Sequence, residues 1–494
     1  MIRRRFALGA PVVSAVAAAV LVLSGVVGAG AGSASAPPSS PLQVPTTQGN
    51  PSAGGVPDAK CSTGAPENGV QGEVPLSDRN SGRSEKGYAC NLTFVGGYQG
   101  TGASWVSQSY KKCAYLSAAF PGDQQGSQPG VRVVDASNQA HPKLSEILTS
   151  PAMTSGTWES LKVNSARGLL AAVSGGAGDS AGFFDVYDIS KDCAHPTLLN
   201  SLASTALTLP ANGIGHEGGW APDGLTYYSS SLFGGNVTAI DVSNPAKPQI
   251  LWTGLPNLEN HGFSLSPDGN TLYLANLVNG AGMDVFDVSQ IQHRYLLPQP
   301  SFVGGIRWTD GSVTQATIPV TVHGHPYVIA WDELGDGGVR FLDIADPRYP
   351  TITSQIRLQI NMPANASAAS ADTANTGAFG YQSHYCTVDR QVNPTALACG
   401  WFQSGIRVLD IRDIQHPREI AFYNPPAQTG KNAQLSDSSH AGGGSSTQLT
   451  ADWCSSPPSF VGNELWATCQ DNGFMILKFA PGTYPYSKGS SAGA

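Results

Sequence analysis

Charged residues are scarce in this chain of 494 residues, at 13% against about 25% in typical soluble domains. Acidic residues (35) outnumber Lys and Arg (27), the net charge is −8, and no basic run follows residue 5. Nucleic acids bind to basic surfaces, so no nucleic-acid partner is expected. Long apolar runs are few, whereas Gly (58) and Pro (35) are plentiful, which favours a turn-rich β protein.

Sequence signals for nucleotide binding or nucleophilic catalysis are also lacking. No C-x-x-C occurs, so a zinc ribbon or a thioredoxin-type site is not expected. The segment GGAGDSAG (175–182) is rich in glycine, but a strand is predicted after it, whereas a phosphate-binding loop leads into a helix. No catalytic residue and no organic cofactor are therefore assigned.

Residues 1–36 have the three parts of an export signal. Arg3, Arg4 and Arg5 form a positive start, an apolar run covers 12–27, and small residues follow up to Ala36. A general secretory signal is predicted, with a twin-arginine signal as the alternative. The expected location is secreted or at the cell envelope, and the only expected membrane contact is through this signal if it stays uncleaved.

Residues 37–87 are rich in Pro, Gly and Ser. They are predicted to form a mostly disordered linker with a local tie at Cys61. Residues 485–494 are predicted to be a disordered tail.

The eight cysteines fit an oxidising compartment. Cys386 and Cys399 flank one predicted hairpin, and Cys454 and Cys469 flank another. Each of these pairs is predicted to form a disulfide between neighbouring strands. The pairing of the other four is open, because sequence alone does not fix disulfide connectivity.

One strand signature recurs seven times: a glycine, alternating apolar residues, an aspartate and a Ser/Pro turn. Its marker positions are Asp135, Asp188, Asp241, Asp287, Asp343, Asp410 and Lys478. The alternation indicates a strand with two distinct faces, and the aspartate can accept hydrogen bonds from the turn amides. Two further strand-like segments lie between successive signatures, so each unit is predicted to hold four short antiparallel strands.

Seven such units over residues 88–484 predict an all-β, seven-bladed β-propeller. The segment NLTFVGG (91–97) is a strand without a partner in the first unit. It is predicted to complete the last blade and close the ring, which removes exposed sheet edges. A monomer is expected.

The repeats VRVVDASN (131–138), TAIDVSNP (238–245), VRFLDIAD (339–346) and IRVLDIRD (406–413) resemble LVIVD repeats. The resemblance covers residues 90–480. That family comprises secreted or surface β-propeller proteins, so the resemblance implies this fold and an extracellular location. It implies no reaction.

Several histidines and glutamates are predicted near one mouth of the central channel, where innermost strands begin. His216 and His261 share a register, each seven residues before an aspartate. The candidate metal ligands are His216, His261, His323, His384, His440, Glu159 and Glu217, with Glu259 nearby. Imidazole with carboxylate suits a divalent or transition metal. The alternative is that these histidines bond to backbone groups and fix the blades in place.

Polar loops near the same mouth carry further acidic residues. They are Asp179, Asp332, Glu333, Asp336 and Asp471. These could bind calcium or a cationic ligand; the alternative is ordinary turn chemistry with solvated charge. Two longer segments, 361–380 and 427–450, are predicted to be disordered loops over this mouth.

Two functions follow from this sequence. The first is a binding module at the cell envelope or outside the cell, which presents its rigid face to a protein, glycan or small molecule. The alternative is a metal-dependent hydrolase or oxidase that uses the histidines and carboxylates of the channel mouth.

Overall fold

A computed structural model describes most of the chain. The described residues are 44–47, 54–118, 128–174, 182–200, 209–210, 215–231, 235–254, 256–257, 259–277, 280–373, 379–428 and 451–486. The predicted signal (1–36), Asp179, His440 and most of 427–450 lie outside them.

The described N-terminal region supplies four strands and two short helical turns before the first blade. They are β1 (Thr46–Thr47), β2 (Gly64–Ala65), α1 (Leu76–Ser81), a 3-10 helix (Arg83–Lys86), β3 (Tyr88–Cys90) and β4 (Leu92–Tyr98).

Blades 1 to 3 follow in chain order. Blade 1 contains β5 (Ser107–Tyr110), β6 (Cys113–Leu116), β7 (Val131–Asp135) and β8 (Lys143–Leu148), and α2 (Pro151–Thr154) comes next. Blade 2 contains β9 (Lys162–Asn164), β10 (Leu169–Val173), β11 (Phe183–Asp188) and β12 (Thr197–Leu198), with β13 (Leu209–Pro210) also paired to β11. Blade 3 contains β14 (Glu217–Trp220), β15 (Thr226–Ser230), β16 (Val237–Asp241) and β17 (Gln249–Gly254).

Blades 4 and 5 contain the longest strands of the described chain. Blade 4 contains β18 (Asn260–Leu265), β19 (Thr271–Asn276), β20 (Ala281–Asp287), α3 (Ser289–Gln292) and β21 (Ser301–Trp308). Blade 5 contains β22 (Ser312–Val322), β23 (His325–Leu334), β24 (Val339–Asp343) and β25 (Thr351–Ile356). Two 3-10 turns (Gln359–Asn361 and Pro363–Asn365) and α4 (Ala366–Asp372) follow.

Blades 6 and 7 complete the ring. Blade 6 contains β26 (Cys386–Val388), β27 (Ala396–Gly400), β28 (Ile406–Asp410) and β29 (Arg418–Asn424). Blade 7 contains β30 (Ser459–Val461), β31 (Glu464–Cys469) and β32 (Gly473–Phe479), and its fourth strand is β4. The predicted seven-bladed β-propeller of four-stranded antiparallel blades is therefore confirmed, including closure by the N-terminal strand β4, which pairs Leu92 with Phe479.

The repeated signature has a clear local cause. In all six aspartate copies the carboxylate accepts a hydrogen bond from the backbone amide two residues later, at 2.8–3.1 Å. The signature glycine often has positive φ, as at Gly130 (120°) and Gly338 (64°). At both positions a Cβ would lie 2.1 Å from a carbonyl oxygen of the outer strand, so a larger residue would separate the two strands.

The N-terminal segment differs from the predicted disordered linker. Residues 54–87 lie against blade 6, where β2 pairs with β3, which in turn pairs with β29. Val56 and Val74 are buried, and Glu67 forms an ion pair with the buried Arg407. The segment has no apolar periodicity because it packs in irregular conformation on an existing blade instead of building its own core.

The segment 361–380 also differs from the predicted disordered loop. Its described part forms the second 3-10 turn and α4. At the end of α4, the Asp372 carboxylate accepts a hydrogen bond from the Tyr381 hydroxyl (3.0 Å). This hydrogen bond ties the helix to the chain that leads into blade 6.

All eight cysteines form disulfides. The pairs are Cys61–Cys90, Cys113–Cys193, Cys386–Cys399 and Cys454–Cys469, so both pairs expected from the sequence are present. Four disulfides indicate an oxidising, extracytoplasmic environment. Within the described part of the chain, every helix is too short or too polar to cross a lipid bilayer.

Candidate metal centre at the channel mouth

The first strand of every blade starts at the same end of the central channel, here called the channel mouth, because the blades share one strand order. Four of these starts carry ionisable side chains: Glu159 before β9, His216 before β14 with Glu217 at its first position, His261 in β18, and His384 before β26. The Glu159 amide donates to the His216 carbonyl (3.3 Å), which holds the starts of blades 2 and 3 side by side.

Three imidazoles converge on the carboxylate of Glu159. Its Oε2 lies 3.0 Å from His216 Nε2 and 3.9 Å from His261 Nε2, and its Oε1 lies 3.1 Å from His384 Nε2. Glu159, His216 and His261 each offer a ligand atom within 4.8 Å of the other two. This is the single such group of metal-binding side chains among the described residues.

All four of these side chains are buried. Relative exposure is 7% for His216, 2% for His261, 0% for His384 and 2% for Glu159. Burial removes the water that would otherwise solvate the carboxylate, so its charge must be compensated by the neighbouring imidazoles or by an ion.

Backbone carbonyls fix the orientation of two imidazoles. His261 Nδ1 lies 3.0 Å from the Gln315 carbonyl oxygen, and His384 Nδ1 lies 2.7 Å from that of Ser455. A carbonyl only accepts, so Nδ1 carries the proton and donates. A neutral ring then turns its Nε2 lone pair toward the Glu159 carboxylate, and only a proton or a cation between these atoms makes the contact favourable.

Hydrogen bonds also orient the Glu159 carboxylate. Gln315 Nε2 donates to its Oε2 (3.0 Å), and the Tyr385 hydroxyl lies 3.5 Å from the same oxygen. These contacts are typical of the outer shell of a metal site, where neighbouring groups position the ligands.

Two further carboxylates adjoin the imidazoles. Glu217 Oε1 lies 3.8 Å from His261 Nδ1, and Glu217 Oε2 lies 3.7 Å from Lys162 Nζ. Glu333 lies 3.6 Å from His261 Nε2 and 3.8 Å from His384 Nε2. Three carboxylates therefore surround three imidazoles and one lysine.

The titration of this cluster reflects its burial. Burial raises the pKa of Glu217, which Lys162 opposes and Glu159 reinforces. Burial likewise raises the pKa of Glu333 to about 7 and lowers the pKa of His261 to about 3. Burial works against the charge of Glu159 as well, but His216 and His384 hold its pKa well below the ordinary value. The raised pKa values favour the protonated forms of Glu217 and Glu333. Glu159 is therefore the carboxylate of this cluster that most favours its ionised form, and His216 and His384 stabilise that charge.

The structure places one other predicted ligand, His323, away from this cluster. His323 lies in the turn after β22, at the opposite end of the channel, where its amide donates to Asn393 Oδ1 (2.7 Å). Its predicted position at the mouth is wrong because β22 extends the whole length of the blade before this turn. Glu259 is exposed, and His440 lies outside the described residues.

Among the acidic loop residues that the structure describes, Asp332 and Asp471 are engaged in contacts within the protein. Asp332 is buried and paired with Arg340, and it accepts a hydrogen bond from Trp308 Nε1 (3.0 Å). Asp471 is buried beside Asp452, whose carboxylate accepts a hydrogen bond from the Asp471 backbone amide (2.8 Å). Of these described loop residues, Glu333 lies beside the imidazoles. Its neighbour Asp332 points into the blade because successive side chains of a strand face opposite sides.

Comparison with known proteins supports the fold alone. No family model matches the chain, and no curated protein matches it. A putative 6-phosphogluconolactonase from Bacteroides uniformis is similar over 76% of this chain and 94% of its own, with 13% identity and a TM-score of 0.52. The periplasmic gluconolactonase PpgL of Pseudomonas aeruginosa is similar over 63% of this chain and 82% of its own, with 14% identity and a TM-score of 0.47.

Proposed function

We propose that the protein is an exported metal-dependent enzyme, a hydrolase or an oxidase. Its divalent transition ion is held by Nε2 of His216, His261 and His384 and by the carboxylate of Glu159. The observation that carries this proposal is the convergence of three buried imidazole nitrogens on one buried carboxylate. Glu217 and Glu333 adjoin the imidazoles, and a bound cation would favour their ionised forms.

The spacing of the donor atoms supports this assignment. Around an ion with bonds of about 2.1 Å, neighbouring donors lie about 3 to 3.4 Å apart. His216 Nε2 lies 3.0 Å from Glu159 Oε2, and His384 Nε2 lies 3.1 Å from Oε1, the other oxygen of the same carboxylate. Ligand atoms of Glu159, His216 and His261 all lie within 4.8 Å of one another, whereas His384 lies outside this group and has to move toward it to share the ion. The His261 nitrogen, at 3.9 Å, has to move inward by less than an ångström. Imidazole with carboxylate suits zinc, copper or iron.

The alternative, a binding module without an enzymatic site, remains a prediction. A binding surface needs exposed side chains, whereas these histidines and glutamates are buried at the channel mouth. Lactonase activity is not transferred to this chain, because the likeness to the gluconolactonases extends to the fold alone. Export and membership of the LVIVD repeat proteins remain part of the proposal, supported by the N-terminal sequence, the disulfides and the propeller.

Metal analysis tests the proposal. Protein stripped with a chelator is titrated separately with Zn²⁺, Cu²⁺ and Fe²⁺, and bound metal is measured by mass spectrometry. About one ion per chain is expected, and His216→Ala, His261→Ala or Glu159→Gln should weaken its affinity at least about tenfold. His416→Ala is the matched control, because His416 is exposed and pairs only with Asp413.

The metal present in protein isolated from its natural host then separates the two reaction classes. Zinc is redox-inert and fits a hydrolase, whereas copper or iron fits an oxidase. A wild-type chain that binds none of the three ions, or variants that bind like the wild type, would refute the metal centre.

A further inference from the structure

We propose that the end of the propeller opposite the channel mouth binds the surface of a lipid bilayer. The contact is made by Tyr295, Leu296 and Leu297, which form the tip of a loop in blade 4. It is additional to any contact that the predicted export signal makes, and it does not depend on the proposed metal centre. Its basis is a firmly held loop whose three apolar side chains are exposed to solvent.

The loop joins β20 and β21, the third and fourth strands of blade 4. The first strand of each blade starts at the channel mouth. In an antiparallel blade, the connection between the third and fourth strands therefore lies at the opposite end of the channel, here called the turn end. The loop tip and His261, near the start of β18, thus occupy opposite ends of the same blade.

The side chains at the loop tip are unusually exposed for apolar residues. Relative exposure is 93% for Leu296, 79% for Leu297 and 59% for Tyr295. Single exposed leucines are common on soluble proteins, but consecutive ones at a loop tip contribute almost nothing to the core. Clustered apolar exposure of this kind marks a surface that binds another apolar surface.

The backbone of this loop is firmly held. The Tyr295 amide donates to the Gln290 carbonyl oxygen (3.0 Å), and the Gln299 amide donates to Oε1 of the same glutamine (3.0 Å). Ile291 and Pro298 are buried on either side of the tip. A fixed backbone lowers the entropy that the loop loses when its tip binds a partner.

Apolar side chains of neighbouring blades continue this surface. Of the ten large apolar side chains that are exposed among the described residues, six lie in turns at the turn end: Leu225, Tyr295, Leu296, Leu297, Tyr349 and Val392. Arg294 connects the loop to blade 3, because its guanidinium lies 3.7 Å from both Asp223 and Asp241. On the blade 5 side, a Cβ at Gly304 would lie 2.3 Å from the carbonyl oxygen of Arg348, the residue before Tyr349.

The residue types at the tip fit a bilayer interface. The two leucines are the most exposed, and Tyr295 (59%) and Tyr349 (52%) are less so. Aliphatic side chains favour the hydrocarbon of a membrane, whereas tyrosine favours the level of the headgroups. A protein partner would need a groove that matches the tip, whereas a fluid bilayer admits apolar side chains without one.

The direction in which the chain enters blade 4 also favours a bilayer at this end. β1 pairs in parallel with β21, Thr46 with Arg307, so it runs from the turn end toward the mouth. The apolar run of the predicted signal (12–27) ends 19 positions before Thr46 (46 − 27), a length that spans at most about 65 Å. While such a signal is in the membrane, the turn end of blade 4 is within reach of the bilayer.

Charge is not expected to drive this contact. The exposed Arg348 pairs with Asp346 (2.7 Å), and Arg294 lies between two aspartates. Both arginines beside the tip are thus matched by carboxylates. We therefore expect binding to zwitterionic as well as anionic lipid, with little dependence on salt.

Vesicle binding of the full chain tests this inference. Leu21→Asp and Leu23→Asp are introduced into every protein, so that the apolar run of the predicted signal does not itself bind lipid. Binding to phosphatidylcholine vesicles, with and without phosphatidylglycerol, is measured by flotation over a range of lipid concentrations. The chain with an intact loop should bind both kinds of vesicle, and about 0.5 M NaCl should change its partition coefficient less than about twofold.

A charge at the loop tip should prevent this binding. Leu296→Asp and Leu297→Asp should each lower the partition coefficient at least about tenfold, because an aspartate would replace a leucine in the bilayer. Their urea unfolding midpoints should stay unchanged, since both side chains are exposed. Leu76→Asp is the matched control at the mouth end, where Leu76 is exposed (44%) and its amide donates to Asp372. It should change the coefficient less than about twofold.

The outcomes are distinct. No binding to either kind of vesicle overturns the bilayer contact, and so does an equal loss in all three variants. Binding that salt abolishes overturns the apolar tip as its cause. If light scattering shows a dimer that Leu296→Asp dissociates, without vesicle binding, the loop joins two copies of the chain and the bilayer contact is refuted. Metal content is measured on the same samples, and its absence overturns the proposed function alone.

Discussion

The aspartate of the repeated signature stabilises the turn through its charged carboxylate. Its carboxylate closes the turn after the third strand by accepting an amide two residues later, and at Asp410 it also binds the side chains of Arg412 (2.8 Å) and Arg418 (3.2 Å). Burial opposes ionisation of Asp410, but these arginines lower its pKa below the ordinary value. The folded state therefore favours the ionised form.

Asp410→Asn should consequently destabilise the protein in a pH-dependent way. A lowered folded pKa contributes stability above the unfolded pKa of about 3.9 and loses it as pH falls through the folded value. The substitution should cost about 1 kcal/mol at pH 7, and this cost should shrink as pH falls through the folded pKa. Urea unfolding followed by tryptophan fluorescence across this pH range measures it, and a cost independent of pH would contradict the prediction.

Single residues also show where sequence reasoning succeeds and fails. His216 and His261 share a register before the same turn motif, so their meeting could be predicted. His323 looks similar in sequence but follows a strand of 11 residues, which places it at the far end. The sequence does not distinguish Glu333 from its acidic loop neighbours. The face of β23 that each residue occupies depends on the strand register, which the sequence does not show.

At the scale of elements, two disulfides flank His384. Cys386 and Cys399 occupy directly opposed positions of β26 and β27, two residues after the imidazole. Cys454 precedes Ser455, whose carbonyl oxygen accepts a hydrogen bond from His384 Nδ1. The strand that follows the imidazole and the segment that orients it are thus both cross-linked to their neighbours.

Replacing Cys386 and Cys399 together by serine should weaken metal binding about tenfold, because His384 loses its fixed position. The matched control replaces Cys113 and Cys193, which join β6 to the segment after β11 and touch no proposed ligand. Both variants should lose stability, but only the first should lose metal affinity. Equal affinity in the two variants would show that the disulfide does not position His384.

The N-terminal segment is joined to blade 6 by an ion cluster that the sequence does not reveal. Arg407 is fully buried between Glu67 and Glu419, residues far apart in the chain. Proline and glycine content predicts disorder for 37–87 because composition carries no information about an external surface on which a segment can pack. Cys61 is the one sign of order that this composition offers, and the structure joins it to Cys90.

Arg407→Ala should lower the free energy of unfolding by about 3–5 kcal/mol, because it leaves buried carboxylates without a partner. Arg348→Ala removes an exposed arginine paired with Asp346 and should cost less than about 1 kcal/mol. Chemical unfolding of both variants at pH 7 gives the comparison. Similar small losses in both would show that the Arg407 cluster does not hold the segment in place.

The whole molecule depends on a closed ring. The repeats could be counted from the sequence, and closure could be predicted from a strand left over at one end, because both follow from periodicity. The arrangement of side chains at the channel mouth could not be predicted from the sequence. It depends on how side chains from blades 2, 3, 4, 5 and 6 meet across the channel.

Removing β4 should open the ring between blades 1 and 7. A chain that starts at residue 100 leaves the edge of β32 unpaired and the face of blade 7 uncovered, so we expect aggregation in size-exclusion chromatography. A chain that starts at residue 54 keeps β4 and should elute as a compact species. A compact, cooperatively unfolding product from the shorter chain would contradict closure as the stabilising feature.

Closure through β4 also determines when the ring can be completed during synthesis. The ribosome releases this strand early, whereas its partner β32 emerges some 380 residues later, so the ring stays incomplete until nearly the whole polypeptide has been made. Long-range pairing of this kind is slow and leaves strands open to wrong partners. Until its two ends meet, the growing chain therefore exposes strand edges that lack their closing partner.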